Sequence, residues 1–414
     1  MVPNGWKEGK VKDLVKSLNA GVSVNSEDDG NTNSEFKILK TSCVSNGVFQ
    51  PEKAKSVVES NEISRLKEPV KADSIIISRM NTPALVGANG YVENEITNTF
   101  LPDRLWQVKP RDNKVNMKWL GYWFSSSHTR YALSSTATGT SGSMKNITKP
   151  DVLNIKIDIP PLPEQQKIAK ILSTWDKAIS ATERLIDNSS QQKKALMQQL
   201  LTGKKRLLDD EGKRFEGKWE EVKLADIGKC INGLTYSPSD VVESNGMLVL
   251  RSSNVQDGKL AFHDNVYVKS DLKVKSKTKE GDILICVRNG SKNLIGKSAL
   301  IKGKAVNEAH GAFMTLYRSI YPTYVFQLFQ SNLFYRQVNK NLGATINSIN
   351  TSDLHKFKFL ISSNQKEIEK IATVLTNADK EIELLEQQLA DLQQEKKALM
   401  QVLLTGKKRV VVDD

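Results

Sequence analysis

At 414 residues, 39% hydrophobic and 26% charged with a formal charge of +13, the chain is long enough for two to four domains and too apolar for a disordered tail. No run approaches the ~18 apolar residues of a membrane span, and MVPNGWKEGK lacks the apolar core of a signal peptide, so a soluble, cytoplasmic protein without membrane contact is expected. Cys43, Cys230 and Cys286 contain no Cys-x-x-Cys pair, which excludes a disulfide framework, while the basic surplus suits a polyanionic partner such as nucleic acid.

Residues 1–162 read as a mixed α/β domain. Asp73–Ser78 (DSIIIS) is a short β-branched run of the kind that forms a buried strand. Arg79 and Asn81 follow it, and such side chains suit base edges and phosphates, with a structural ion pair as the competing role for the arginine. Trp119–Leu133 predicts helix, with Trp119 and Trp123 in the core rather than as base-stacking platforms. The loop Ser134–Thr148 (SSTATGTSGSMKNIT) is full of donors and acceptors. Lys145 and Asn146 are its DNA-binding candidates, and a solvated surface loop is the plainer alternative.

Pro160, Pro161 and Pro163 stop any earlier helix, and a new one is expected within residues 163–206. Its apolar seam, Ile168, Leu172, Trp175, Ile179, Leu196 and Leu200, alternates spacings of four and three, interrupted by the polar Thr182 and Ser189. Over Glu164–Leu201 such a helix is about 57 Å long. Gly203 supplies a left-handed cap at its end.

Residues 207–362 form the second mixed α/β domain, entered by a linker over 207–218. Asp282–Val287 (DILICV) repeats the buried strand, and Arg288 and Asn289 follow it as further DNA-binding candidates. Gly290–Ser298 (GSKNLIGKS) resembles a phosphate loop but has five residues between its glycines where four are needed. No nucleotide site is assigned there, and Lys292 is kept as a DNA contact. Tyr324–Val338 predicts helix with Phe326 and Phe329 in the core, and the loop Asn339–Asn350 adds Lys340 and Asn347 to the DNA-binding set. Lys269, Lys273, Lys275, Lys277 and Lys279 form a charge run that reads as a solvated face.

Residues 363–414 carry a second helix and tail, started by Ser362, Ser363 and Asn364. Ile371, Leu375, Ile382, Leu385, Leu399 and Leu403 keep the four-three spacing over about four and a half heptads. KKALMQQLLTGKKR at Lys193–Arg206 returns as KKALMQVLLTGKKR at Lys396–Arg409, with 13 of 14 residues the same, so the chain is two copies of one plan. Arg79 and Arg288, like Gly87 and Gly296, recur 209 residues apart. Two compatible seams in one chain favour an internal helix pair over a dimerisation coiled coil, which stays the competing role. The link Lys204–Lys218 reaches at most about 50 Å, so the second domain stays near the far end of the first helix and the second helix must run back. The expected fold is α/β, with two mixed α/β domains separated by two long helices in an intramolecular antiparallel coiled coil.

Catalytic signatures are missing. His128, His263, His310 and His355 are isolated, no Asn-Pro-Pro-Tyr or Asp-Pro-Pro-Tyr tetrapeptide is present, and no acidic nuclease cluster stands out. The chain reads as a non-enzyme without a catalytic or metal site.

IPPLPEQQKIAKIL at Ile159–Leu172, KKALMQQLLTGKKR, their second copies, and the openings Gly5–Trp6 and Gly217–Trp219 together resemble the specificity subunits of type I restriction-modification systems, over the whole chain. The resemblance implies two target recognition domains, each reading one half of a split, asymmetric site in double-stranded DNA, with the helices as spacer. It also implies two modification subunits that bring S-adenosylmethionine, and restriction subunits that bring ATP and Mg2+; this chain binds no cofactor itself. The second copy departs from the pattern, with SSNQKE in place of the proline-rich approach. A coiled-coil scaffold, or the recognition half of a fused type II-like methyltransferase-nuclease, are the alternatives.

Overall fold

The computed structural model describes residues 2–28, 34–45, 47–139, 143–243, 245–274, 276–342 and 347–412. The chain divides into two compact units, residues 1–182 with 388–414, and residues 183–387. Each unit has the same plan.

In the first unit a four-stranded antiparallel sheet is built from β1 (Val15–Ala20), β2 (Ser74–Ser78), β3 (Asn89–Val92) and β4 (Leu105–Pro110), in the order β1-β4-β2-β3. In the second, β5 (Gly228–Asn232), β6 (Ile283–Cys286), β7 (Ser298–Leu300) and β8 (Met314–Ser319) repeat it as β5-β8-β6-β7. All of β2 and β6 is buried. Alternation explains the unbroken apolar run in β2. Ile75 and Ile77 pack with Trp119, Leu120 and Phe124, whereas Ile76 packs with Leu39, Cys43 and Leu101 on the opposite side.

That opposite side carries a smaller sheet in which Lys37–Leu39 pairs in parallel with Thr99–Phe100 and antiparallel with Ala54–Ser56. Met247–Leu250 repeats it with Ala309–His310 and Tyr267–Val268. Helices cover the first side: α1 (Met117–Ser125) and α2 (Ser127–Thr136) in one unit. Asn116 caps α1 by accepting from Trp119 N at 2.8 Å, and Trp119 is fully buried.

Two helices of 39 residues, about 58 Å each, complete the chain: α3 (Leu162–Leu200) and, after the second unit's α4 (Pro322–Phe329) and α5 (Asn332–Asn341), α6 (Gln365–Leu403). Helix α3 begins two residues ahead of the expected Glu164, because proline is well tolerated in a first turn, where its missing amide has no intrahelical partner. Ile168, Leu172, Leu200, Ile371, Leu375 and Leu403 are buried, while Trp175, Ile179, Leu196, Ile382, Leu385 and Leu399 are half-buried.

Within each unit the helices run antiparallel and are clasped by the same ion pairs. In the first, Arg409 donates to both oxygens of Glu164 at 2.7 and 2.8 Å, Trp6 Nε1 donates to Glu164 at 2.9 Å, and Lys396 pairs with Asp176 at 2.5 Å. In the second, Arg206 holds Glu367 at 2.5 and 2.7 Å, Ser362 Oγ donates to it at 2.5 Å, and Lys193 pairs with Asp379. Asp176 also accepts from Tyr122, and Asp379 from Gln327. The proline-free second junction therefore keeps its carboxylate, and Asn364 Oδ1 caps α6 by accepting from Lys366 N and Glu367 N.

Candidate nucleic-acid interface

In each unit the strand after which the arginine falls leads into a short, polar edge. In the first, Met80–Asn81 pairs antiparallel with Lys145–Asn146, placing Asn81 opposite Lys145 and Met80 opposite Asn146. Arg79, Asn81, Lys145 and Asn146 are thus brought together. Asn81 is buried, donating to Ser78 Oγ at 3.2 Å and accepting from Thr82 N at 2.9 Å, so its amide shapes the turn. Lys145 reaches Gly139 O at 3.3 Å. The Oδ1 of Asn146 is buried with no hydrogen-bond partner among the described residues.

The second unit has the same weave with other side chains. Arg288 bridges to Ser348, Asn289 N donates to Asn347 O at 3.3 Å, and Asn347 Nδ2 donates to Gly290 O at 3.0 Å. Lys292, starting a short 3-10 turn, and Lys340, near the end of α5, are exposed and make no ion pair among the described residues. Ser298 is buried in β7 and its Oγ accepts from Gln330 Nε2 at 2.9 Å, so Gly290–Ser298 does not cradle a phosphate. Lys269, Lys273, Lys277 and Lys279 are exposed; Lys275 lies outside the described residues.

The two arginines are not equivalent in the backbone. Ser78 faces Leu105 as Cys286 faces Met314, and Ile147 N donates to Arg79 O as Ile349 N donates to Val287 O, each at 2.9 Å. Residue 79 therefore corresponds to Val287, and Arg288 corresponds to Met80. One residue of slip in extended chain turns a side chain to the opposite face. Accordingly Arg79 is half-buried, 5.9 Å from the Trp106 ring centroid with its Nε unpartnered among the described residues, whereas Arg288 is exposed and lies 5.9 Å from the Phe313 ring. Neither has a carboxylate partner among the described residues. By contrast Arg318, gripping buried Asp282 at 2.6 Å with two nitrogens, is a structural ion pair, and its Asp282 partner raises its pKa.

A third segment at this edge escaped the sequence reading. Leu39-Lys40-Thr41-Ser42 and Leu250-Arg251-Ser252-Ser253 recur 211 residues apart, and both leave the smaller sheet for a 3-10 turn. Asn289 Nδ2 donates to Ser252 Oγ at 3.1 Å, tying this turn to Arg288. Lys40 pairs with Asp28, and Arg251 with Asp264 at 3.1 Å. The visible signal was the shared pattern of a basic residue and two hydroxyls, overlooked because the residues around it differ.

Among the described residues no cluster of His, Cys, Asp and Glu could hold a metal, and no helix is long and apolar enough to cross a membrane. His310 is buried against Ile231 O at 3.0 Å, and burial lowers its pKa; His355 accepts from Cys230 N. What the edge offers is donors and acceptors on a hydrogen-bonded backbone.

A family model described as the type I restriction modification DNA specificity domain matches twice, over residues 3–188 and 216–394. The type I restriction enzyme MjaVIII specificity subunit of Methanocaldococcus jannaschii is 26% identical over 362 residues, 83% of this chain and 79% of that protein. The StySPI specificity subunit of Salmonella potsdam is 30% identical over 146 residues, 33% of this chain and 31% of that protein. Among solved structures, the S subunit of a type I restriction-modification system from M. genitalium aligns with TM-score 0.59 at 14% identity, covering 98% of this chain and 99% of that one. A chain from a study of complex assembly and conformational transition of the type I system aligns with TM-score 0.58 at 16% identity, covering 99% of this chain and all of that one.

Proposed function

Since the chain belongs to the type I restriction-modification DNA specificity family, we propose that each unit reads one half of a bipartite, asymmetric site in double-stranded DNA. The observation that carries this is the polar edge built on the same antiparallel backbone pairing in the two units, with different side chains on it. One backbone carrying two side-chain sets suits two different half-sites. The chain itself transfers no methyl group and cuts no strand. It works in the cytoplasm, where two modification subunits dock on α3 and α6 and supply S-adenosylmethionine, and restriction subunits supply ATP- and Mg2+-dependent cleavage.

Methylome sequencing of cells carrying this chain and its modification partner tests the reading. A split, asymmetric methylated motif is expected. A continuous or palindromic motif, or methyl transfer by the purified chain alone, overturns it, and no methylation with an active partner favours a coiled-coil scaffold.

A further inference from the structure

The two units share a turn position whose side chain is exposed and differs between them. Arg104 closes the turn into β4, and its carbonyl accepts from Arg79 N at 3.0 Å. Phe313 closes the corresponding turn into β8, and its carbonyl accepts from Val287 N and Arg288 N, both at 3.1 Å. The next residues, Leu105 and Met314, face Ser78 and Cys286 in the same register. Residues 104 and 313 are therefore one backbone position, beside the segment that carries Asn81 in one unit and Asn289 in the other.

Backbone bonds hold the position while the side chain reaches solvent. Arg104 is exposed and makes no side-chain hydrogen bond or ion pair among the described residues. Phe313 is 59% exposed at a polar edge, with the Arg288 guanidinium 5.9 Å from its ring. More than half of the residue's surface stays in solvent, so its burial drives the fold little. A fixed backbone with an exposed, differing side chain is what two sites of different specificity need. Arginine suits the O6 and N7 acceptors of guanine, and phenylalanine suits the thymine methyl.

We propose that Arg104 and Phe313 are specificity-determining residues, Arg104 reading a guanine in one half-site and Phe313 a thymine methyl in the other. This rests on the proposed function, in which each unit reads one half-site.

The test is methylome sequencing with the wild-type chain, Arg104→Ala and Phe313→Ala, each expressed with the modification partner. Arg104→Ala should relax one guanine position in one half-site, with discrimination falling on the order of ten-fold, and leave the other half-site intact. Phe313→Ala should relax one thymine in the other half-site. For a variant that no longer methylates, the purified complex is assayed for binding to duplexes carrying single base-pair changes or single thymine-to-uracil changes, which remove only the methyl. Wild type should lose affinity by about four-fold at one uracil, the worth of one buried methyl group, and Phe313→Ala should be indifferent there. Unchanged base preference in both variants, or changes in both half-sites from one substitution, overturns the inference. If wild type itself yields no split motif, the proposed function has failed instead.

Discussion

Arg409 and Arg206 make the same contact at the ends of the two near-identical segments. Each ends a copy of the repeat and neutralises a carboxylate in the first turn of the opposite helix: Glu164 is 3% exposed and Glu367 fully buried. Removing one partner from such a pair leaves a buried charge uncompensated, at a cost of several kcal/mol. Arg206→Ala should destabilise the second unit by about 3 kcal/mol, and Arg409→Ala the first by about 2, because Arg409 is 42% exposed and partly screened. The pH dependence has a definite sign. Burial opposes the charged form of Glu164, but the bonds from Arg409 and Trp6 outweigh it and hold its pKa below the ordinary 4.5. Its contribution is full above 4.5 and lost as pH falls through the lowered folded value. Urea unfolding should therefore show the gap between wild type and Arg409→Ala closing in acid, and a gap independent of pH would remove the clasp from the explanation. These pairs could not be read from the sequence, because partners such as Glu164 and Arg409 are 245 residues apart. The offset between Arg79 and Arg288 was readable and misled, since the glycines fix a spacing of 209 while the strand ladder runs one residue shorter.

The long helices were legible as elements because their seams repeat every seven residues and their ends are punctuated. Gly203 and Gly406 do stop them, with φ of +69° and +64°. A side chain there meets more than backbone strain: a Cβ on Gly203 lies 2.7 Å from the Trp219 ring, whereas one on Gly212, at φ +80°, has nothing within 4 Å. Gly212→Ala should cost about 1 kcal/mol from conformation alone, and Gly203→Ala should exceed it by at least about 1 kcal/mol. Equal thermal shifts in the two variants would show that the ring yields freely. The strands were legible singly, as DSIIIS and DILICV, but their order was not. β2 lies between β4 and β3, and β1 pairs with β4 across some ninety residues, a choice made by packing and not by local pattern. The DNA-facing candidates were legible as residue types in donor-rich loops; that Asn81 is buried and shapes a turn depends on neighbours the sequence does not place.

At the scale of the molecule, the helices belong to neither recognition domain alone, and each compact unit takes part of both. Reading along the sequence divides the chain where helices begin, whereas contacts divide it within them, because each clasp joins the start of one helix to the end of the other. If the pair sets the separation of the half-sites, lengthening both helices should lengthen the DNA spacer. Within the second unit Ser189 bonds Glu381 and Lys193 pairs with Asp379, so the turn at Asn188 faces that at Leu384. A seven-residue insertion after each keeps the seam in register, whereas four residues would rotate it. Seven residues add about 10 Å of helix, and DNA rises about 3.4 Å per base pair, so the spacer should grow by up to roughly three base pairs. Methylome sequencing of cells carrying the lengthened chain and its modification partner should find both half-sites unaltered and further apart. An active complex that kept the original spacing would make the helices a docking surface and leave the spacing to another part of the complex.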